Sequence, residues 1–252
     1  MITDGSREGE ELLVDLATLD PELVAGPQSH SLMPGAIKAP PVRQLLLEPG
    51  SWDWKADRRN IGLLVLHGFL LRRLELAGRR SVELLGPGDL LRPYEGEFDV
   101  YAMVPSEATW FILRPTRLGV LDERFARWLG AQPDGLDRLL RRTLQRSRTL
   151  ALRLALVKLP KLSARLHFLL WHLADRFGRR TSDGVMLQLP LSHDVLADLV
   201  SAQRPSVSTA MKELERHALV DPVKPEGWLL NGHPPTIALD RLDTRPELLV
   251  PN

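Results

Sequence analysis

The sequence predicts an α+β chain: an antiparallel β domain, then a long helix, then a small helical domain closed by two short strands. Three observations predict it. From Val42 to about Val120, short apolar runs alternate with Gly, Pro and Asp stops. After Leu121 the apolar residues recur at three- and four-residue steps. From Leu191 to Met211 the chain reads as two short helices around a tight break. At 252 residues there is enough chain for two separate cores.

Composition narrows the chemistry. The 33 basic residues are nearly balanced by 32 acidic ones, so no global positive field is expected, although a docking face need only be positive locally. The absence of cysteine excludes disulfides, thiolate-held iron–sulfur clusters, zinc fingers and a cysteine nucleophile. The N-terminal MITDGSREGEELL is acidic and lacks the apolar core of a signal peptide. No stretch approaches the roughly 20 apolar residues of a membrane span. A soluble, cytoplasmic protein without a membrane partner is expected.

Residues 1–41 form a tail and covering segment, with a weak strand or helix near Glu10–Val24 broken by Asp20-Pro21. Residues 42–132 form the β domain. VRQLLLE ends at Pro49-Gly50, and IGLLVLHGFLLRRLEL breaks at Gly68 and ends at Ala77-Gly78. SVELL ends at Gly86-Pro87-Gly88-Asp89, and DVYAMV and ATWFILR are stopped by Pro105 and Pro115. Short strands closed by such residues suggest an antiparallel barrel or jelly roll.

LDERFARWL (Leu121–Leu129) reads as a short helix, and Gln132-Pro133-Asp134 introduces a long one, residues 133–159. Along it Leu136, Leu140, Thr143, Ser147, Leu150, Leu154 and Val157 make a near-heptad seam. A seam that long most simply pairs with its own copy in a parallel homodimer; packing against the chain's own barrel is the alternative. Arg138, Arg141, Arg142, Arg146, Arg148 and Arg153 lie mostly off the seam, as a solvated face or as a face for nucleic-acid phosphate.

Leu159-Pro160-Lys161 is the hinge into residues 160–235. Ser163 is the expected cap of a helix whose Leu166, Leu169, Leu170, Leu173 and Phe177 form a core stripe ending at Gly178. A strand VMLQLP follows, then the helix pair. Ser192 occupies an N-cap position, and Ala197 is small where a second helix would cross. Ser201-Ala202-Gln203 is the turn, and Arg204-Pro205 restarts a helix with proline in its first turn. This second helix turns Arg204, Ser206, Ser208, Thr209 and Lys212 outward. Two helices so joined match a helix-turn-helix reader of DNA, against the plainer reading of an αα-hairpin. Leu219-Val220 and Gly227-Trp228-Leu229-Leu230 add a terminal hairpin, which makes the whole a winged helix and favours DNA. Residues 236–252 are a C-terminal tail.

The order of barrel, long helix and winged helix resembles the Crp–Fnr family of bacterial transcription regulators, of the catabolite-activator type. The resemblance runs from Val42 to Trp228 and is most specific in LSHDVLADLVSAQRPSVSTAMKELERHALV (Leu191–Val220). Asn60–Leu91 resembles the front of that family's cyclic-nucleotide-binding-like barrel. The resemblance implies a homodimer on a palindromic double-stranded operator, with RNA polymerase as a further partner. It implies DNA contacts by Ser192, His193, Gln203, Arg204, Ser206, Ser208, Thr209 and Lys212. Arg204 is the candidate for guanine, and Gln203 and Lys212 position the backbone. The family's reading helix commonly carries Glu and a further Arg where this chain has Pro205 and Thr209, so the operator need not be the usual one. In the sensor, the family's pocket uses Gly-Glu-small-apolar followed by Arg and Ser or Thr. Here Gly96-Glu97 is followed by Phe98-Asp99, and no Arg-Ser or Arg-Thr comes before Ala108. The barrel thus looks degenerate: no cofactor is expected, cAMP is disfavoured, and an unidentified effector near Arg92, Tyr94, Glu95 and Glu97 stays open.

Catalysis has little support. A metal-dependent jelly-roll enzyme needs clustered histidines, and the barrel stretch holds His67 alone, at a strand end. His167 and His172 are five apart on a helix, the wrong spacing for one face. No Gly-rich phosphate loop or Gly-x-Ser-x-Gly elbow is present. Neither an enzyme nor a metal site is expected.

Overall fold

The computed structural model describes residues 13–14, 39–53, 60–92, 107–132 and 134–235. The chain divides into two compact units, Met1–Leu152 and Arg153–Asn252. The expected strand Asp99–Val104, most of the N-terminal segment and the C-terminal tail lie outside the described residues.

The first unit holds β1 (Leu13–Val14), β2 (Val42–Leu47), β3 (Gly50–Trp52), β4 (Gly62–His67), β5 (Leu70–Leu76), β6 (Arg79–Leu85), β7 (Leu90–Leu91), β8 (Glu107–Ile112) and β9 (Thr116–Leu121). They form two antiparallel sheets, ordered β1-β2-β9-β4-β7 and β3-β8-β5-β6. Leu63, Val65, Leu70, Leu85, Leu91, Ile112, Leu118 and Val120 fill one core, with Trp52 edge-on to Trp110 at 5.9 Å between ring centres. Leu64, facing the other way on β4, joins Val42, Leu121, Phe125 and Trp128 in a second core. β4 is therefore buried on both faces, which is why GLLVL reads as a continuous apolar run.

Two strands absent from the sequence expectation matter here. β3 pairs with β8, and β9 sits at the centre of the five-stranded sheet between β2 and β4. β9 carries Leu118 and Val120 to one core and Leu121 to the other, so it lacks the alternation that marks a half-exposed strand. Leu121 ends β9 and does not open a helix. The turn before β7 is held by Asp89, whose buried carboxylate accepts from the Gly86 N–H at 2.9 Å, with Gly88 at φ +88°. An L side chain at Gly88 would also strike the Arg142 guanidinium.

Helix α1 (Glu123–Gly130) is capped by Asp122, whose carboxylate accepts from the N–H groups of Arg124 and Phe125 at 2.9 and 3.0 Å. Helix α2 (Gly135–Leu156) then runs across the boundary between the units. Its arginines correct one expectation. Arg146 is half-buried and turned to the barrel: it meets Glu83 of β6 through two parallel bonds of 2.6 and 2.7 Å. Arg142 donates to the Gly88 carbonyl at 2.8 Å. Most of the predicted seam is open to solvent, with Leu136, Leu140, Thr143, Ser147, Leu150 and Leu154 exposed and Val157 half-buried, although Thr143, Ser147 and Leu150 also line a cavity with Arg142 and Arg146. Leu144 and Leu152, outside the expected seam, are exposed as well.

The second unit contains α3 (Leu162–Phe177), β10 (Arg179–Arg180), β11 (Val185–Leu187), α4 (His193–Val200), α5 (Arg204–Arg216), β12 (Val220–Pro222) and β13 (Trp228–Leu230). The strands form one antiparallel sheet, β10-β11-β13-β12. Ser163 does not cap α3: the N-cap is Lys161, in extended backbone and without a side-chain bond, and Ser163 already lies in the first turn. The core expected from α3 forms from Leu166, Leu169, Leu170 and Leu173, while Phe177 is half-buried. Gly227, at φ +147°, lets β12–β13 pass close to β11, since a Cβ there would strike the Leu187 carbonyl.

Two half-buried histidines lie on α3. Trp171 donates its indole N–H to His167 Nε2 at 3.0 Å, and burial pushes the His167 pKa down. Burial likewise lowers that of His172, helped by Arg176 and Arg153 and opposed by Asp175. The folded chain therefore resists a proton that the unfolded chain accepts near its ordinary histidine value, about 6.5. Stability contributed by the neutral rings is complete above that value and falls as pH drops below it. The thermal midpoint is expected to fall between pH 7.5 and 5.5, and His172→Gln to flatten part of that slope. An unchanged slope in the variant would remove His172 from this account.

Candidate nucleic-acid interface

The site is built from two helices that bury complementary faces. In α4, Val195, Leu196, Ala197, Leu199 and Val200 are buried; in α5, Val207, Ala210, Met211 and Leu214. The small Ala197 side chain leaves room for this packing. Ser192 caps α4 by accepting from the Val195 N–H at 3.3 Å. Ser201 leaves α4 in the left-handed region, φ +54°, and the Ala202 N–H closes on the Ala197 carbonyl at 2.9 Å. Gln203 is the N-cap of α5 without a side-chain bond, and Pro205 sits in the first turn, where it forfeits no helical hydrogen bond. At the other end of α4, Arg153 and Arg165 donate to the carbonyls of Leu199 and Val200 at 3.4 and 3.5 Å. These cations satisfy groups that a helix C-terminus leaves open.

With its apolar side buried, α5 can turn only its other side outward. Gln203, Arg204, Pro205, Ser206, Thr209 and Lys212 are exposed. The structure so brings together most of the residues expected to meet DNA. Ser208 is half-buried: its hydroxyl donates to the Arg204 carbonyl at 3.2 Å and lies 2.8 Å from His193 Nδ1. Thr209 donates to the Pro205 carbonyl at 3.2 Å, which leaves its oxygen lone pairs as acceptors facing outward. The Arg204 guanidinium approaches the Asp194 carboxylate at 3.4 Å.

Sequence reasoning missed further cations on this unit. Arg216 is exposed one turn beyond Lys212, and its helical spacing after Thr209 and Lys212 is the signal that could have found it. Lys224 is exposed on the loop joining β12 and β13. That hairpin and the start of α4 flank a groove of about 460 Å³, lined among others by Ser192, His193, Lys224 and Trp228. Arg179 and Arg180 are exposed on the edge strand β10.

In the first unit, Arg92 is exposed and lines a cavity of about 370 Å³ with Arg72, Trp110, Arg142, Arg146 and Thr143. Tyr94, Glu95 and Glu97 lie outside the described residues. His67 is exposed at the end of β4. Among the described residues no group of three or more His, Asp or Glu is placed to hold a metal ion, and no helix is long and apolar enough to cross a membrane.

Comparison with known proteins follows this geometry. The family model for the Crp-like helix-turn-helix domain matches residues 164–230. A CooA variant from Carboxydothermus hydrogenoformans is 16% identical, with a TM-score of 0.58 over 81% of this chain and 87% of that one. FixK2 from Bradyrhizobium japonicum is 15% identical, with a TM-score of 0.58 over 81% of this chain and 96% of its own. A cyclic nucleotide-binding domain containing protein from Listeria monocytogenes is 17% identical, with a TM-score of 0.60 over 75% and 88%. No curated protein matches the sequence. The C-terminal unit thus carries a Crp-like DNA-binding helix-turn-helix domain, and the chain has the fold of the Crp–Fnr transcription regulators.

Proposed function

We propose that the protein is a homodimeric, sequence-specific transcription regulator that docks α5 in the major groove of a palindromic operator in the cytoplasm. One observation carries this reading: the exposed face of α5, with Arg204, Ser206, Thr209 and Lys212 held outward by a packed helix pair. Arg204 reads guanine O6 and N7, Ser206 and Thr209 meet base edges or phosphates, and Gln203 and Lys212 hold the backbone. Ser192 and His193 approach phosphate from the start of α4. RNA polymerase is the partner through which bound protein would alter transcription.

The dimer contact in this reading is the outer face of α2. Leu136, Leu140 and Leu154 are 68, 50 and 67% exposed, a degree unusual for leucines at heptad spacing on one face. A second copy would cover them and set the two α5 helices at half-sites about one helical turn apart. Gene control, and not catalysis, is the activity proposed.

Control by cAMP is not part of the proposal, because Gly96-Glu97-Phe98-Asp99 lacks the Arg-Ser or Arg-Thr that would hold a cyclic phosphate. A second reading is favoured by the cavity beside Trp110: a different small molecule seated there would touch α2 through Arg142, Thr143, Arg146, Ser147 and Leu150. Such a ligand shifts the reading head only by its differential affinity for two arrangements of α2.

Arg204→Ala is expected to cost about 1–3 kcal/mol of specific binding and relax one base position. Lys212→Ala is expected to weaken all sequences alike and reduce the salt slope by about one. Binding curves on the best sequence selected from random DNA check both; two unaffected variants would mean that a different face docks. Leu140→Glu with Leu150→Glu is expected to halve the mass measured by light scattering. An unchanged dimer would move the contact off α2.

A further inference from the structure

We infer that Asp194 is a positioning residue that aims Arg204, so that discrimination at one operator position depends on a carboxylate that contacts no base. The inference rests on the reading of α5 as the base-reading helix. Asp194 lies in the first turn of α4 and Arg204 in the first turn of α5, and the Arg204 Nε stands 3.4 Å from Asp194 Oδ2.

The side chains of this pair are 66 and 70% exposed, so water and salt screen it and it contributes little to folding. Its consequence lies in direction. A guanidinium has one edge that includes Nε and another formed by the two terminal nitrogens. With Nε the guanidinium nitrogen nearest the carboxylate, the terminal pair remains to meet the two acceptors of guanine. A long, freely rotating side chain is thereby held before DNA arrives, and less rotamer freedom is lost on binding.

The first turn of α4 also reaches α5 through a second contact: His193 Nδ1 lies 2.8 Å from the Ser208 hydroxyl oxygen, which in turn lies 3.2 Å from the Arg204 carbonyl. Successive residues of α4, His193 and Asp194, thus touch α5 at the Ser208 hydroxyl, one turn beyond Arg204, and at the Arg204 guanidinium. The carboxylate carries a cost that gives it a signature. Beside a phosphate backbone it repels every sequence equally, so its removal should strengthen non-specific binding while weakening discrimination. Removing an aspartate that merely complemented the α4 dipole would instead lower stability and weaken binding to all DNA together.

The test uses the full-length protein and Asp194→Asn, Arg204→Ala and the double variant. Each is titrated with the selected operator, with that operator altered one base pair at a time, and with unrelated duplex. Asp194→Asn is expected to reduce discrimination about three- to tenfold at the one position that Arg204→Ala relaxes. It should leave the other positions and the thermal midpoint unchanged and bind unrelated duplex more tightly. The double variant should discriminate no less than Arg204→Ala alone. Full discrimination in Asp194→Asn, at a position that Arg204→Ala abolishes, overturns the role of Asp194 and leaves the reading helix intact. An Asp194→Asn effect that persists without Arg204 also overturns it, since the carboxylate would then act on DNA by itself. If Arg204→Ala relaxes no position, the reading of α5 fails, and this inference with it.

Discussion

The burial of one face of α5 against α4 is the constraint on which the interface depends. Val207, Ala210, Met211 and Leu214 leave no alternative rotation for that helix, because turning it would expose them and bury Lys212 without a partner. The rotation of the polar face is therefore set by hydrophobic packing, and contacts of single side chains act within that rotation. Ala197 sets how near the two axes can come. Arg153 and Arg165 then close the far end of α4, so the reading head is braced by side chains from the helix before it and from the end of α2.

A comparable division of labour governs α2. Its inward arginines are fixed by specific acceptors: the Arg146–Glu83 pair combines two short bonds with a carboxylate side chain only 9% exposed. Removing one member of such a pair would strand the other charge away from water, so the arrangement specifies how the helix lies on the barrel even where its net contribution to stability is small. The outward leucines are left exposed by the described residues. Polar geometry thus fixes the helix on the barrel while Leu136, Leu140 and Leu154 stay as apolar surface, the combination a helix needs if it is both to dock on a barrel and to pair with a copy of itself.

The parts of this structure legible in the sequence are those whose signals are local. Ser192, Ala197, Ser201 and Pro205 each report a backbone requirement within a few residues of themselves, and the helix pair formed as their spacing implied. The fate of Arg146 was not legible, because its partner Glu83 lies 63 residues earlier and nothing near either residue announces the other. β9 was hidden for a different reason: a strand with both faces buried has no alternation, and Gly119 interrupts what apolar run there is. The Ser163 cap failed because Lys161 already has the extended backbone of an N-cap, and a hydroxyl at that spacing is only permissive. At the interface, outward-facing residues followed from periodicity, but the half-buried Ser208 depended on His193, a contact between helices.

The charge balance follows from the same placement. A chain with 33 basic and 32 acidic residues cannot attract DNA as a whole. Several of its arginines, Arg142, Arg146, Arg153 and Arg165 among them, act on the protein's own carbonyls and carboxylates and are not spread as a phosphate-binding film. Around the helix pair and the β12–β13 hairpin the exposed cations are Arg204, Lys212, Arg216 and Lys224, with Asp194 and Glu226 interspersed. Few phosphate contacts mean weak binding to arbitrary DNA and a shallow dependence on salt. For the regulator proposed above, facing a vast excess of wrong sequence, the quantity that counts would be the ratio of specific to non-specific affinity. Keeping positive charge scarce, and orienting the little there is, raises that ratio more effectively than adding further lysines would.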